Sequence, residues 1–274
     1  MFITMDDGVE LAVEVAGDGP GLLLVHGFTG AKEDFSDHVE ALADDHTVVV
    51  FDHRGHGASG KPDDVGAYTF ARMRADTVGV ADALGLEQFR LLGHSMGGMI
   101  SRRIAIDHPD RVEALVMMDT TPGPIPGFDP SLLDTAAQFA LDNGKDALKE
   151  LLDSAADPLT NPAHERLLRE RPGYQEFSDR KWADVSHVMW AGCARQIAHQ
   201  DDDLDAMRAL PMPVLVIVGE LDTPLLAPSR AMADAIPGAT LAVIADGGHS
   251  PQFENGPEWR SALVEFLATV PAVA

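Results

Sequence analysis

The chain is poor in cysteine, in positive charge and in aromatic residues. One cysteine, Cys193, occurs in 274 residues, so an intramolecular disulfide framework is excluded. Its small neighbours Ala191, Gly192 and Ala194 read as a packed helix rather than the setting of a reactive thiol. Lysine and arginine together number 20 against 44 acidic residues, a formal charge of -24. That balance argues against nucleic acid and against anionic membrane surfaces as partners. No apolar run approaches the length of a membrane span, so membrane insertion is not expected. Phe2-Ile3-Thr4 resembles a strand rather than a basic region followed by an apolar stretch. A secretion signal is therefore not expected, and the cytoplasm is the default location.

The acidic residues gather in places such as Asp44-Asp45 and Asp201-Asp202-Asp203. They read as a solvated surface, with salt adaptation as an alternative. A hard-cation site over Asp201 to Asp205 lacks the glycine turn and spaced ligands that such loops use.

The length suits one good-sized domain carrying an insertion. The opening reads as a hairpin, Phe2 to Met5 and Val9 to Val15, about a turn at Asp6-Asp7-Gly8. Apolar runs expected to be strands buried on both faces follow at Gly21–Val25, Thr47–Phe51, Phe89–Leu92, Ala114–Met118, Pro213–Val218 and Thr240–Ile244. Helical patterns lie between them, near 33–43, 70–84, 96–107, 229–236 and 258–267. This alternation predicts a mostly parallel α/β sheet with helices on both faces. It breaks between Thr120 and about Leu210, where a Pro/Gly-rich exit at 121–127 leads into helical stretches at 132–141, 145–155 and 182–199. Residues 1–120 and 211–274 are thus expected to form the core, and 121–210 an inserted helical cap.

Within this frame, Gly93-His94-Ser95-Met96-Gly97 is a G-x-S-x-G elbow between an apolar strand and a helix. A serine there must adopt a strained backbone, and side chains at Gly93 and Gly97 would collide across the turn. A serine nucleophile needs a base, an orienting acid and an oxyanion hole. Asp222 lies just past the strand ending in Gly219, and His249 just past the next, so both belong to the same sheet edge as Ser95. Asp119, just past the strand ending at Met118, is the rival acid. His26 and His94 read as loop-holding residues, and His53 and His56 as part of a structural turn. These histidines lack the spacing and the carboxylate or thiolate support of a zinc site.

With His26-Gly27-Phe28, Asp52-His53-Arg54-Gly55-His56-Gly57-Ala58-Ser59, Gly93 to Gly98, Gly219 to Asp222 and Gly247 to Pro251, the chain resembles the α/β-hydrolase superfamily along essentially its whole length. The resemblance implies an eight-stranded, mostly parallel sheet flanked by helices. It implies Ser95 as nucleophile, His249 as base and then acid, and Asp222 as the orienting carboxylate. It also implies oxyanion donors at the backbone N–H groups of Phe28 and Met96, with no cofactor and no metal. Phe28, Phe139, Trp182, Met189 and Trp190 are the expected pocket residues; each has core packing as its alternative. Met207 is a further cap residue of the same kind. The expected reaction is hydrolysis of a small or medium, largely apolar carboxylic ester or lactone. C–C bond hydrolysis of ring-fission products and cofactor-free perhydrolase or haloperoxidase chemistry use the same residues. A small-molecule receptor on the same fold is the non-enzymatic alternative. The serine excludes the aspartate-based mechanism of dehalogenases and epoxide hydrolases, and oligomeric state is not legible.

Overall fold

The computed structural model describes residues 1–125, 127–155 and 160–271. The strands are β1 (Phe2–Thr4), β2 (Glu10–Ala16), β3 (Gly21–Val25), β4 (Thr47–Phe51), β5 (Phe89–His94), β6 (Val112–Met118), β7 (Val214–Gly219) and β8 (Thr240–Ile244). They form an eight-stranded sheet in the order β1-β2-β4-β3-β5-β6-β7-β8. β1 and β2 pair antiparallel with each other, as do β2 and β4; the pairs from β4 to β8 are parallel. Helices α1 (Ser36–Leu42), α2 (Phe70–Ala83) and α3 (Met96–Asp107) connect β3, β4, β5 and β6 in turn. Between β6 and β7 run α4 (Pro130–Ser154), α5 (Pro162–Glu170), α6 (Tyr174–Asp184), α7 (His187–Ala198) and α8 (Leu204–Met207). The chain closes with α9 (Thr223–Ala235), α10 (Pro251–Glu254) and α11 (Gly256–Leu267). No helix among the described residues is long and apolar enough to cross a membrane.

The inner strands alternate between two cores because successive side chains point to opposite faces. Leu23, Val25, Leu91, Leu115, Met117 and Val216 meet residues of α2, α3 and α9. Leu22, Leu24, Leu92, Val116, Met118 and Ile217 meet Phe35, Leu42, Trp259 and Leu263 on the other face. Both faces being covered, β3 and β5 are buried at every position. β8 departs from the expected doubly buried strand. It is the sheet's edge, with β7 as its one neighbour, and Thr240 and Val243 are exposed.

Several helices differ from the sequence pattern for local reasons. α4 is broken at Gly144, whose φ of 81° is non-helical, which is why the pattern read as two segments. The stretch at 182–199 is not one helix. Val185 is extended, and Ser186 caps α7 while its N–H donates to Gly55 O at 3.1 Å, tying the chain to the loop after β4. α5 and most of α6, absent from the expected pattern, are charged helices with one or two buried residues each. α9 starts six residues before its expected position because Pro224 fits a first helical turn and Pro228 costs a single ladder bond.

One buried arginine joins the two ends of the β6–β7 segment. Arg102 on α3 donates to Thr121 O (2.6 Å), Gln200 Oε1 (3.0 Å), Asp201 O (3.2 Å) and Asp203 Oδ2 (3.1 Å). The Asp203 N–H in turn donates to Pro122 O at 2.9 Å. Asp203 is therefore no solvated surface acid; its carboxylate compensates a guanidinium removed from water. Removing one partner of a buried pair costs about 3–5 kcal/mol, whereas replacing both partners by apolar residues costs less. Asp203→Ala is expected to lower the urea midpoint more than the double replacement Asp203→Leu with Arg102→Met does.

Candidate active site

Five loops meet at the carboxyl ends of β3, β5, β6, β7 and β8, where ligands bind in open parallel sheets. Ser95 sits between β5 and α3 with φ 52° and ψ -117°, a conformation that costs a non-glycine residue about 1–3 kcal/mol. It is held by Ser95 N–H donating to Met118 O at 2.8 Å and by the turn bond from Gly98 N–H to Ser95 O at 2.9 Å. A Cβ on Gly93 would strike the Gly97 carbonyl across the turn, as expected. Gly97 is constrained differently. Its Cβ would run into the Val25 and His26 carbonyls at the end of β3, so it allows α3 to approach the neighbouring strand.

The imidazole of His249 bridges the other two groups. The Ser95 hydroxyl donates to His249 Nε2 at 3.0 Å, and His249 Nδ1–H donates to Asp222 Oδ2 at 2.7 Å. Burial opposes ionisation of Asp222, but the His249 hydrogen bond and charge outweigh it and hold the carboxyl below its ordinary range. Asp119, the rival acid, is fully buried and accepts the Gly219 N–H at 2.9 Å through Oδ1. Burial, then the Asp222 charge, push the Asp119 carboxyl well above its ordinary value. Asp119, Asp222 and His249 each bring a metal-ligand type atom within 4.8 Å of the others. His249 Nδ1 and Asp222 Oδ2 are engaged with each other at 2.7 Å.

Phe28 follows the end of β3, and a Cβ on Gly27 would lie 3.0 Å from Ser95 Cβ, so this loop passes directly beside the serine. Neither the Phe28 nor the Met96 N–H donates to another described residue. Met96 opens α3, where the first amides have no intrahelical acceptor. His26 holds the Phe28 loop in one tautomer. Its Nε2 accepts the His53 N–H at 3.0 Å, so Nδ1–H donates to Gly27 O at 2.8 Å. His94 Nε2–H donates to His249 O at 2.7 Å, and burial, aided by the His249 charge, pushes its imidazole down to about 3. Both histidines hold loops.

Of the expected pocket residues, Trp190 packs on Phe28 with ring centroids 5.4 Å apart. Phe139 on α4 and Trp182 on α6 are half-buried. Met189 is a correction: it has no accessible surface, and its side chain lies against the Cα of Gly55, a position only glycine leaves open. Met207 is likewise buried core. Cys193 is buried, which pushes its thiol up and away from the reactive thiolate.

Sequence reasoning missed Glu254. Its Oε2 accepts the N–H groups of Gly248 (2.5 Å) and Ser250 (3.2 Å), the two neighbours of His249. The signal was slight, an acid four residues after the Ser250 cap, one beyond the capping-box position. It also missed the Lys181–Asp34 pair, 2.6 Å, between α6 and the turn after the Phe28 loop.

The family described as alpha/beta hydrolase fold matches residues 20–256, and the chain belongs to it. The chain is 31% identical over 277 residues to a 2-hydroxymuconate semialdehyde hydrolase from Pseudomonas putida, spanning 94% of this chain and 90% of that protein. A thermophilic esterase from Thermogutta terrifontis superposes with a TM-score of 0.83 at 29% identity, covering 98% of each chain. The enol-lactonase from Burkholderia xenovorans LB400 shares the fold at 24% identity, with a TM-score of 0.85 over 98% of this chain and 100% of its own.

His26, His53 and His56 are buried neutral imidazoles, all shifted down by burial first. In the unfolded chain they gain protons below pH about 6.5, while the folded state resists, so stability falls as pH drops from there. Each contributes up to about 1.4 kcal/mol per pH unit. Neither ring nitrogen of His53 has a partner. His53→Leu is expected to flatten the decline of Tm between pH 6.5 and 4, followed by thermal unfolding.

Proposed function

We propose that the protein is a serine hydrolase acting on a small or medium, largely apolar carboxylic ester or lactone. The observation that carries this is the continuous relay from Ser95 Oγ to His249 Nε2 (3.0 Å) and from Nδ1 to Asp222 (2.7 Å). His249 takes the serine proton as the oxygen attacks the carbonyl carbon, and Asp222 stabilises the imidazolium that forms. Two unused N–H groups, of Phe28 and Met96, support an oxyanion hole beside Ser95. Such donors contribute several kcal/mol because they are in place before charge develops. The leaving alcohol departs with the proton from His249, and water then releases the acid by the same route.

Residues 121–210 act as a cap in this reading and close the site over the substrate. Phe28 and Trp190 form an apolar wall, the half-buried Trp182 and Phe139 remain further candidates, and Met189 packs the cap on Gly55. The similarity to a thermophilic esterase supports ester hydrolysis, and similarity to a 2-hydroxymuconate semialdehyde hydrolase puts that semialdehyde on the substrate panel.

Ser95→Ala is expected to abolish fluorophosphonate labelling and lower p-nitrophenyl butyrate turnover by about 10⁴-fold or more. Persistent labelling in the site would overturn the assignment, and tight ligand binding without turnover by the wild type would favour a receptor. Trp190→Ala is expected to raise KM for butyrate about tenfold while changing kcat less, since it removes apolar contact area; a chain-length series of esters measures this.

A further inference from the structure

Asp119 stands where neither ordinary packing nor the serine–histidine relay accounts for it. It follows β6 with φ 45°, an uncommon conformation for aspartate, and its side chain is fully buried. Oδ1 accepts the Gly219 N–H, while Oδ2 has no hydrogen-bond partner. Asp222 mirrors it: Oδ2 accepts from His249, and the buried Oδ1 has none. One carboxyl oxygen of each lies within 4.8 Å of the other.

We propose that Asp119 is held as a neutral carboxylic acid whose O–H donates to Asp222 Oδ1, making Asp119 a positioning residue for the Asp222–His249 pair. Two buried carboxyl groups this close cannot both ionise, and one shared proton satisfies both orphaned oxygens. The proton stays on Asp119 because Asp222 already takes a hydrogen bond from the imidazole, while Asp119 has a single amide donor. The groups acting on the pair offer no fixed cation: Glu254 is a carboxylate engaged with Gly248 and Ser250, and His94 is neutral. The O–H pins the rotation of the Asp222 carboxylate so that Oδ2 remains on Nδ1. It also withdraws charge from Asp222, which lowers the basicity that His249 feels across the hydrogen bond.

The proposal rests on the relay reading, and the test separates the two. Asp119→Ala removes the donor: kcat/KM is expected to fall about tenfold, with the acid limb of its pH profile displaced to higher pH. Asp119→Asn keeps both an acceptor for Gly219 N–H and a neutral donor for Asp222, so it is expected to recover most of that loss and return the limb. A role confined to packing would leave the limb unmoved. Infrared difference spectra at neutral pH are expected to show a protonated-carboxyl band in the wild type that Asp119→Asn lacks. Absence of that band, its persistence in Asp119→Asn, or an Asn variant as impaired as Ala would each overturn the proposal. The spectrum and the Asn variant decide even if Asp119→Ala does not fold. Turnover surviving in Ser95→Ala would sink the relay reading, while the band still reports on the Asp119 proton.

Discussion

The strained turn at Ser95 is the constraint on which the other parts of the site depend. Its φ of 52° is tolerated because three neighbours leave it no alternative. Met118 O takes the serine N–H, Gly93 admits the Gly97 carbonyl, and Gly97 admits the carbonyls at the end of β3. Met118 lies on β6, Gly93 on β5, and Gly97 on α3 where that helix meets the end of β3, so the strain is carried by packed elements and not by a loop. The same geometry starts α3 immediately after the serine, leaving the Met96 N–H unpaired beside the hydroxyl. A strand-to-helix junction that tight therefore places both the hydroxyl and the unpaired Met96 N–H by a single backbone decision.

The remaining groups are brought to that turn by loops with their own anchors. His26 fixes the Phe28 loop through its tautomer, and Glu254 grips both amides around His249. The β6–β7 helices reach the site from two sides. On one, Arg102 binds the entry and exit of the segment to α3, the helix that begins at the serine. On the other, Ser186 and Met189 fit against Gly55, and Lys181 meets Asp34. Trp190, on that segment, packs on Phe28, in the loop that passes beside Ser95.

The sheet and its edge were legible because they are written in short-range chemistry. Doubly buried strands require unbroken apolar runs, and the elbow requires glycine where backbones touch, so both leave residues that cannot be disguised. Ser95 and Asp222 were legible for the same reason, each standing at the end of such a strand; His249 follows β8, an exposed edge strand whose sequence is still a short apolar run. What was not legible depends on partners distant in sequence. α5 and α6 bury one or two residues each and carry no apolar stripe long enough to announce a helix. Met189 looked like a pocket residue because an apolar side chain on a cap helix says nothing about which surface it meets; Gly55 settles that. Asp203 looked like surface because nothing local reveals that Arg102 comes to meet it, a hundred residues earlier.

Beneath an acidic exterior, the interior of the site is held close to neutral, and this is an electrostatic requirement. Burial keeps His26, His53, His56 and His94 uncharged, so they act as rigid hydrogen-bonding pieces rather than as cations. With them neutral, the one ionised carboxylate in contact with His249 is Asp222, and its charge is not cancelled by a competing cation. That field favours the imidazolium that appears when the serine proton moves. A second negative charge at Asp119 would raise the cost of burying the pair without adding a contact to His249, whose Nδ1 already has its acceptor. Neutral histidines above and a neutral carboxyl below are two ways of meeting the same demand: one negative charge, in one place, aligned with one imidazole.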